Sequence, residues 1–265
     1  MMTIGIIPAR YGSTRFPGKP LAEIQGRPMI WHVYQRCLKA KYLDQLLVAT
    51  DDKRIYDCVL GFGGRAVMTS KNHRSGTDRI AEALEKFEIR KPVLRRASLP
   101  DFRRDPKFEI IINIQGDEPL IDPKAIDLLA KAMVENQKTE MATLVGSFKD
   151  KDDLLSPNTV KVVADYQGFA LYFSRSVIPG NREGSRRLSN YLKHIGIYAY
   201  RRDTLFKLIA WPQSALEKTE KLEQLRALEN GVKIRLIKTA YSPLAVDTPA
   251  DKARICKILE GQSFA

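Results

Sequence analysis

The sequence has few of the residues that mark a disulfide-bonded, zinc-binding or membrane-spanning protein. Its 265 residues include three cysteines (Cys37, Cys58 and Cys256), three histidines and two tryptophans. An odd number of widely spaced cysteines on apolar helical faces predicts reduced core residues, not disulfides or metal ligands. No apolar run approaches a transmembrane helix, and a strand pattern occupies the N-terminal position of a signal peptide's apolar region. We therefore expect a cytoplasmic protein without membrane insertion.

Acidic residues are also scarce relative to basic ones. The chain has 44 Lys and Arg against 31 Asp and Glu, a formal net charge of +13. Such a charge suits nucleic acid, an anionic membrane surface or acidic small molecules. The sequence shows no zinc finger, no basic zipper and no paired aromatic strands of an RNA-binding sheet. A basic nucleic-acid-binding module is therefore the less favoured alternative, and we expect no nucleic-acid partner.

The first half of the chain alternates between short apolar runs and helical patterns. The runs at residues 4–7, 46–50, 66–68, 110–114 and 141–145 are continuous and apolar, as in strands buried on both faces. Repeated β-α units of this kind predict a doubly wound, mostly parallel α/β sheet. Thr77 is predicted to cap the helix that follows residues 66–68.

The second half is predicted to be a smaller, mixed α/β region. Residues 160–163 and 169–173 predict a hairpin, and residues 194–200 and 233–238 predict strands. Ser214 and Glu217 form a capping-box pattern that predicts one long helix ending at Gly231. Thr248 is predicted to cap the last helix. Residues 88–107, rich in proline and basic side chains, predict a long exposed connection.

A basic, glycine-containing loop follows the first predicted strand. It contains Gly12 and Gly18 with the cations Arg10, Arg15 and Lys19, and it precedes a helix. It is neither a Walker A loop nor the dinucleotide G-x-G-x-x-G. Nucleotides bind at the carboxyl ends of strands in open α/β sheets, where glycines admit phosphate groups and cations neutralise them. This pattern favours a nucleotide site over an ordinary surface loop, without identifying the nucleotide.

Two acidic residues are candidate metal ligands. Asp117 follows a buried strand, and Asp247 precedes the last helix. Two carboxylates beside bound phosphates suit Mg²⁺, which prefers oxygen ligands and keeps some water. Taken singly, each is equally well explained as a turn or helix-start residue. Asp51 and Asp52 are better explained by helix capping.

One histidine is placed where it can bind a ligand. His194 and Tyr198 share one face of a predicted strand. The pattern alone fits a structural pair as well as a functional one. His32 and His73 are expected to be helical and loop residues without a catalytic role.

Several long motifs resemble, in order along nearly the whole chain, those of the CMP-Kdo synthetases, which are 3-deoxy-manno-octulosonate (Kdo) cytidylyltransferases. The matching segments lie at residues 8–21, 49–51, 75–77, 113–119, 170–175, 194–198, 222–226 and 246–249. Within them stand Asn113-x-Gln115-Gly116-Asp117-Glu118-Pro119 and Val246-Asp247-Thr248-Pro249. Such long motifs are far more specific than any single loop.

The resemblance implies a nucleotide-diphospho-sugar transferase fold, a single domain over residues 1–265, and a homodimer formed by a lobe near residues 158–231. It implies that CTP and Kdo give CMP-Kdo and pyrophosphate for lipopolysaccharide biosynthesis, with Mg²⁺ as cofactor. The implied nucleotide-binding residues are Ala9, Arg10, Ser13, Lys19, Ser75, Gly76 and Thr77. The implied sugar-binding residues are Arg15, Gln115, Arg175, His194, Tyr198 and Gln224, with Arg15 or Arg175 facing the carboxylate. Asp117 and Asp247 would hold the metal, and Arg10, Lys19, Asp117 and Asp247 would act in catalysis.

Two questions of substrate and partner stay open at this point. A close branch of the family uses 8-amino-3,8-dideoxy-manno-octulosonate, and the same chemistry serves other sugar acids or a sugar 1-phosphate. Residues 88–107 also look longer and more basic than the usual connection in the family, which concerns partners and subunit contacts more than the reaction.

Overall fold

The computed structural model describes residues 1–12, 16–89, 107–182 and 187–262. The strands are β1 (Met2–Ala9), β2 (Glu23–Ile24), β3 (Arg27–Pro28), β4 (Gln45–Thr50), β5 (Ala66–Met68), β6 (Phe108–Asn113), β7 (Met141–Ser147), β8 (Lys161–Ala164), β9 (Ala170–Ser174), β10 (Leu192–Arg201) and β11 (Ile234–Lys238). The helices are α1 (Met29–Cys37), α2 (Lys53–Gly61), α3 (Gly76–Ile89), α4 (Pro123–Glu135), α5 (Lys151–Leu155), α6 (Arg202–Ala210), α7 (Ala215–Glu220), α8 (Gln224–Glu229) and α9 (Pro249–Gln262). Short 3-10 turns lie at Lys19–Leu21 and Leu188–Asn190.

The described strands form one nine-stranded sheet and a small β2–β3 pair. The main order is β11-β7-β10-β6-β1-β4-β5, and the β8–β9 hairpin joins through β8 to β10. β1 is parallel to β4 and β6, and β7 is parallel to β11. β10 runs antiparallel between β6 and β7. The predicted mostly parallel α/β sheet and the hairpin are therefore confirmed, with β10 as an antiparallel strand inside the sheet.

The central strand is apolar on both faces because helices cover both sides of the sheet. Ile4 and Ile6 of β1 belong to a core cluster that contains side chains of α3 and α6. Ile7 and Ala9 belong to a second cluster that contains side chains of α1, α2 and α4. This double coverage explains why the strands of the first half have no polar alternation.

The predicted caps of α2 and α9 are confirmed, and the predicted cap of α3 is wrong. Asp52 caps α2 by accepting from Arg54 N, and Thr248 and Asp251 exchange hydrogen bonds at the start of α9. α3 begins at Gly76, so Ser75 precedes it and exchanges hydrogen bonds of 3.1 Å with Asp78. The prediction that Thr77 caps this helix is wrong, because the helix starts earlier than its apolar pattern.

The long helix predicted from Ser214 to Gly231 is also wrong in part. Its start is confirmed, since Ser214 N donates to the Glu217 carboxylate at 3.3 Å, and Gly231 follows the last turn with a φ of 80°. Between them α7 ends at Glu220, because Lys221 adopts a left-handed backbone with φ 55°. The two short helices α7 and α8 replace the single long one.

Other sequence expectations have mixed outcomes. All three cysteines are free, as predicted. In the part of the chain that the structure covers, no helix has the length and apolar character needed to cross a bilayer. The predicted connection at residues 88–107 lies almost wholly outside the described residues.

A buried ion pair holds α8 against α7. Arg226 Nε and Nη2 donate to the two carboxylate oxygens of Glu217 at 2.7 and 2.6 Å, and Arg226 Nη1 donates to Leu208 O at 3.1 Å. Both residues are about 5% exposed. A buried charge that loses its partner is strongly destabilising, so removing one member costs far more than breaking an exposed pair.

We expect Glu217→Ala to lower the free energy of unfolding by about 3–5 kcal/mol, because the buried Arg226 loses both charge-assisted hydrogen bonds to Glu217. Among the described residues, it keeps only Leu208 O at 3.1 Å and the Glu223 carboxylate at 3.6 Å. Denaturant unfolding at fixed protein concentration measures this loss. Asp57→Ala is the control, because it removes the partner of Lys53 from an exposed pair and is expected to cost below about 1 kcal/mol. Equal losses in the two variants would contradict the structural role of the buried pair.

Candidate active site

The carboxyl ends of β1 and β6 carry two of the predicted functional loops to the same edge of the sheet. The two strands are parallel neighbours, with Ile6 opposite Asn113. The loop after β6 then passes directly over the end of β1. A Cβ atom on Gly116 would lie 2.9 Å from Pro8 O, so only glycine permits this approach. The position next to Asp117 is therefore fixed by close backbone packing.

Asp117 and Asp247 converge on one lysine. Lys19 Nζ lies 2.8 Å from Asp117 Oδ2 and 3.1 Å from Asp247 Oδ1. The Lys19 side chain is 13% exposed. The two aspartate segments are also joined by a backbone hydrogen bond of 2.8 Å from Val246 N to Asp117 O. Three stretches that are far apart in the sequence thus meet at one charged cluster.

This cluster fits a divalent cation. The two carboxylates already share one positive group, the Lys19 ammonium, which stands in for a cation at that point. Among the described residues, no group of three or more His, Cys, Asp and Glu side chains could hold a metal. A magnesium ion held by Asp117 and Asp247 would therefore complete its coordination with phosphate oxygens and water, as Mg²⁺ commonly does.

The loop after β1 is closed by its own backbone. Gly18 N donates to Tyr11 O at 2.9 Å, and Gly18 has a φ of 70°, which favours glycine. The Arg54 guanidinium carbon lies 3.4 Å from the centre of the Tyr11 ring. Arg10 is exposed at this edge, whereas Ala9 is buried in the core. Ser13 and Arg15 lie outside the described residues.

A cavity of about 180 Å³ lies at the carboxyl ends of β1 and β6, where Pro8 and Asn113 line it. Its lining residues are Pro8, Gly76, Thr77, Asn113, Gln115, Met141, Tyr198, Tyr200, Leu208, Glu223 and Gln224. Three buried polar atoms from these residues have no hydrogen-bond partner in the protein: Asn113 Oδ1, Glu223 Oε1 and Gln224 Nε2. Buried polar groups are nearly always satisfied, so these three atoms are available to bind a polar occupant of the cavity.

The side-chain NH₂ group of Gln115 is held by a hydrogen bond within the protein. Its Nε2 donates to Gly196 O at 2.7 Å, at a point where the pairing of β10 with β7 is interrupted between Ile195 and Tyr198. Thr143 Oγ1 donates to the neighbouring carbonyl of Ile197 at 2.9 Å. Gln115 therefore lines the cavity and also stabilises the irregular part of β10.

His194 and Tyr198 lie together but in different positions relative to the cavity. Tyr198 lines it, and His194 does not. The His194 ring packs against Phe173 and Tyr198, with Nε2 3.1 Å from Thr143 Oγ1. Burial lowers the pKa of His194 to about 3 and raises the pKa of Tyr198 well above its usual value. Both side chains are therefore neutral at physiological pH.

Other predicted residues have their polar groups engaged within the protein. The Arg175 guanidinium contacts backbone carbonyls, and Arg175 does not line the cavity. Thr77 Oγ1 donates to Glu223 Oε2, and Ser75 bonds with Asp78. The structure thus brings Gln115, Tyr198 and Gln224 to one cavity and leaves Arg175 outside it. Gly76 and Thr77, which were predicted for the nucleotide, line the same cavity.

Asn113, Tyr200 and Glu223 line the cavity but were not predicted as site residues. Tyr200 follows Tyr198 at a spacing of two, which puts both rings on one face of β10. Asn113 is the polar last residue of an apolar strand, and Glu223 directly precedes Gln224. These local signals were available in the sequence.

Comparisons with known proteins agree with these features. A family model described as cytidylyltransferase matches residues 4–234. A 3-deoxy-manno-octulosonate cytidylyltransferase of Geobacter sulfurreducens is 46% identical, over 98% of this chain and 100% of that protein. The protein of the same name from Thermodesulfovibrio yellowstonii is 49% identical over 95% of both chains.

Solved structures give the same result. A CMP:2-keto-3-deoxy-manno-octonic acid synthetase complexed with CTP is 41% identical, covers 99% of this chain and 100% of its own, and has a TM-score of 0.86. The 4-diphosphocytidyl-2C-methyl-D-erythritol synthase of Anaerococcus prevotii, 15% identical with 98% of both chains covered and a TM-score of 0.59, shares the fold alone. The chain therefore has the nucleotide-diphospho-sugar transferase fold and belongs to the cytidylyltransferase family, in the group of the CMP-Kdo synthetases.

Proposed function

We propose that this protein transfers the cytidylyl group of CTP to Kdo, giving CMP-Kdo and pyrophosphate for lipopolysaccharide biosynthesis. The observation that carries the proposal is the convergence of Asp117 and Asp247 on Lys19. The same edge of the sheet also holds a cavity whose lining includes polar atoms without a hydrogen-bond partner. The names of relatives 46% and 49% identical over nearly the whole chain supply the substrates.

In this mechanism the anomeric hydroxyl of the sugar acid attacks the α-phosphorus of CTP, and pyrophosphate leaves. The protein contributes position and charge, and no covalent intermediate is needed. Among the described residues of this loop, Lys19, held at the carboxylate pair, and the exposed Arg10 are the cations available to the triphosphate. Mg²⁺ bound by Asp117 and Asp247 would neutralise phosphate charge and lower the pKa of the attacking hydroxyl.

The cavity is the proposed sugar-acid site. Gln115, Tyr198 and Gln224 line it together with Asn113 and Glu223, so both donors and acceptors face the hydroxyls of a sugar. Neutral Tyr198 adds hydrogen bonding without charge. Arg15, outside the described residues, is the proposed partner of the sugar carboxylate, as the family resemblance implies.

We further propose a cytoplasmic homodimer formed through the lobe at residues 158–231. Leu171 of β9 is 61% exposed, and Tyr166 at the hairpin turn is fully exposed. Within the described sheet, β9 pairs with β8, and contact with β11 is limited to a bridge between Phe169 and Arg235 at the start of β9. An exposed apolar edge strand is suited to contact with a second subunit. Sedimentation over a range of protein concentrations tests this assembly.

The decisive experiment is pyrophosphate release by the purified protein with CTP, Mg²⁺ and a panel of sugar acids. We expect turnover with Kdo that requires all three components. Preference for 8-amino-3,8-dideoxy-manno-octulosonate or for a sugar 1-phosphate would redirect the proposal to that acceptor. Salt-dependent binding of random DNA without turnover of any sugar would instead favour the nucleic-acid alternative.

The metal assignment predicts the behaviour of two aspartate variants. Asp117→Asn and Asp247→Asn are each expected to lower kcat by about 10²–10³-fold, because each removes a charge that holds the cation in the transition state. Steady-state pyrophosphate release measures the loss, and circular dichroism checks the fold. Asp57→Asn, at an exposed position on α2, is the control and should retain activity. Near-wild-type rates in both site variants at saturating Mg²⁺ would reject the assignment.

Lys19 is expected to act on the triphosphate and not on the sugar. Lys19→Ala should lower kcat by about 10²-fold and raise the KM for CTP, while the KM for Kdo changes by less than about threefold. Arg10→Ala is expected to show the same pattern, and Lys53→Ala, which alters an exposed cation, serves as the control. An increase confined to the KM for Kdo would place this loop against the other substrate.

A further inference from the structure

Arg175 directs its side chain to the backbone of two other segments. Its Nε donates to Glu220 O at 2.7 Å, Nη1 to Pro157 O at 2.9 Å and Nη2 to Lys221 O at 3.4 Å. The last carbonyls of a helix have no partners within the helix. The guanidinium therefore closes the C-terminal end of α7 and ties it to the loop that precedes β8.

Glu220 binds back to the end of β9. Its carboxylate accepts from Arg175 N at 2.9 Å and from Ser174 Oγ at 2.6 Å. The next residue, Lys221, has the left-handed conformation that separates α7 from α8. A left-handed residue other than glycine persists where surrounding contacts hold it. The contacts between Arg175 and Glu220 supply that restraint.

The other side of this turn faces the cavity. Glu223 Oε2 accepts a hydrogen bond from Thr77 Oγ1, and Gln224 Nε2 has no hydrogen-bond partner in the protein. Glu223 Oε1 has none either, although it lies 3.6 Å from Arg226 Nη2 in an ion pair. The turn at residues 221–223 is thus fixed to β9 on one side and to α3 on the other. Its position determines where the side chains of Glu223 and Gln224 meet a ligand.

We propose that Arg175 is a positioning residue for the sugar acid, acting through the turn at residues 221–223 to hold Glu223 and Gln224 at the cavity. This role differs from direct contact with the sugar carboxylate, which the family resemblance implied for Arg15 or Arg175. The identity of the ligand rests on the proposed function, whereas the restraint on the turn does not.

Lysine is a poor substitute in this role. The planar guanidinium reaches three carbonyls in fixed directions, whereas an ammonium group is a compact point charge on a flexible stem. A lysine would preserve the positive charge but not the bridge between Pro157, Glu220 and Lys221. Comparing Arg175→Lys, which keeps the positive charge, with Arg175→Met, which removes it, therefore distinguishes an effect of charge from an effect of the guanidinium's hydrogen-bond geometry.

The test combines kinetics with hydrogen exchange of the ligand-free protein. In both Arg175 variants we expect the KM for Kdo to rise about 10- to 100-fold, with kcat and the KM for CTP within about threefold of wild type. Backbone amides of residues 220–226 should exchange faster, while those of β1 stay protected. Glu220→Ala should show the same pattern, and its effect should not add to that of Arg175→Met. Lys218→Met, on α7 outside these contacts, is the control.

Two outcomes would overturn the proposal. If Arg175→Lys restored the KM for Kdo while Arg175→Met did not, Arg175 would act through its charge on the ligand. If exchange at residues 220–226 were unchanged in both variants, the turn would not depend on Arg175.

Should the wild type turn over no sugar acid, the proposed function fails, and the exchange measurement still decides whether Arg175 restrains the turn. Should Arg175→Met fail to fold, Arg175→Lys and Glu220→Ala carry the same comparison.

Discussion

The contact of Lys19 with two carboxylates determines how the functional edge of this protein is assembled. Asp117 and Asp247 are held close by the hydrogen bond from Val246 N to Asp117 O, so their charges repel one another unless a cation lies between them. Lys19 supplies that cation at 2.8 and 3.1 Å. The loop after β1, the loop after β6 and the segment before α9 are thereby joined. Sites that bind phosphate and metal depend on such fixed charge geometry more than on any single residue.

Much of the fold was predictable because it depends on local patterns. The apolar runs of β1, β4 and β6 indicated strands covered on both faces, and the structure places helices on both sides of them. The aspartate before α2 and the threonine before α9 marked helix starts correctly. The antiparallel direction of β10 was not predicted, because alternation along a strand is the same whichever way the strand runs.

Features set by tertiary contacts could not be predicted in this way. The break between α7 and α8 depends on a left-handed lysine, and no local rule places a lysine there. The restraint comes from Arg175, distant in sequence. In the site, the motifs identified Gln115, Tyr198 and Gln224, which do line one cavity, but a motif cannot tell which acceptor a guanidinium contacts. That Asn113 Oδ1 and Glu223 Oε1 lack hydrogen-bond partners is likewise visible only when their surroundings are known.

The hydrogen bond from Gln115 to Gly196 sets the polarity of one wall of the cavity. A backbone carbonyl can only accept, so the amide of Gln115 must present its NH₂ group to Gly196 and is oriented by it. The side-chain carbonyl oxygen of Gln115 then remains free to accept a hydrogen bond, so this wall of the cavity favours a ligand group that donates one, such as a hydroxyl. A glutamate at this position would have almost the same shape, yet it would put two acceptor oxygens face to face across the 2.7 Å now bridged by a proton. The distinction between amide and acid at residue 115 is therefore enforced by the irregular strand behind it, before any substrate arrives.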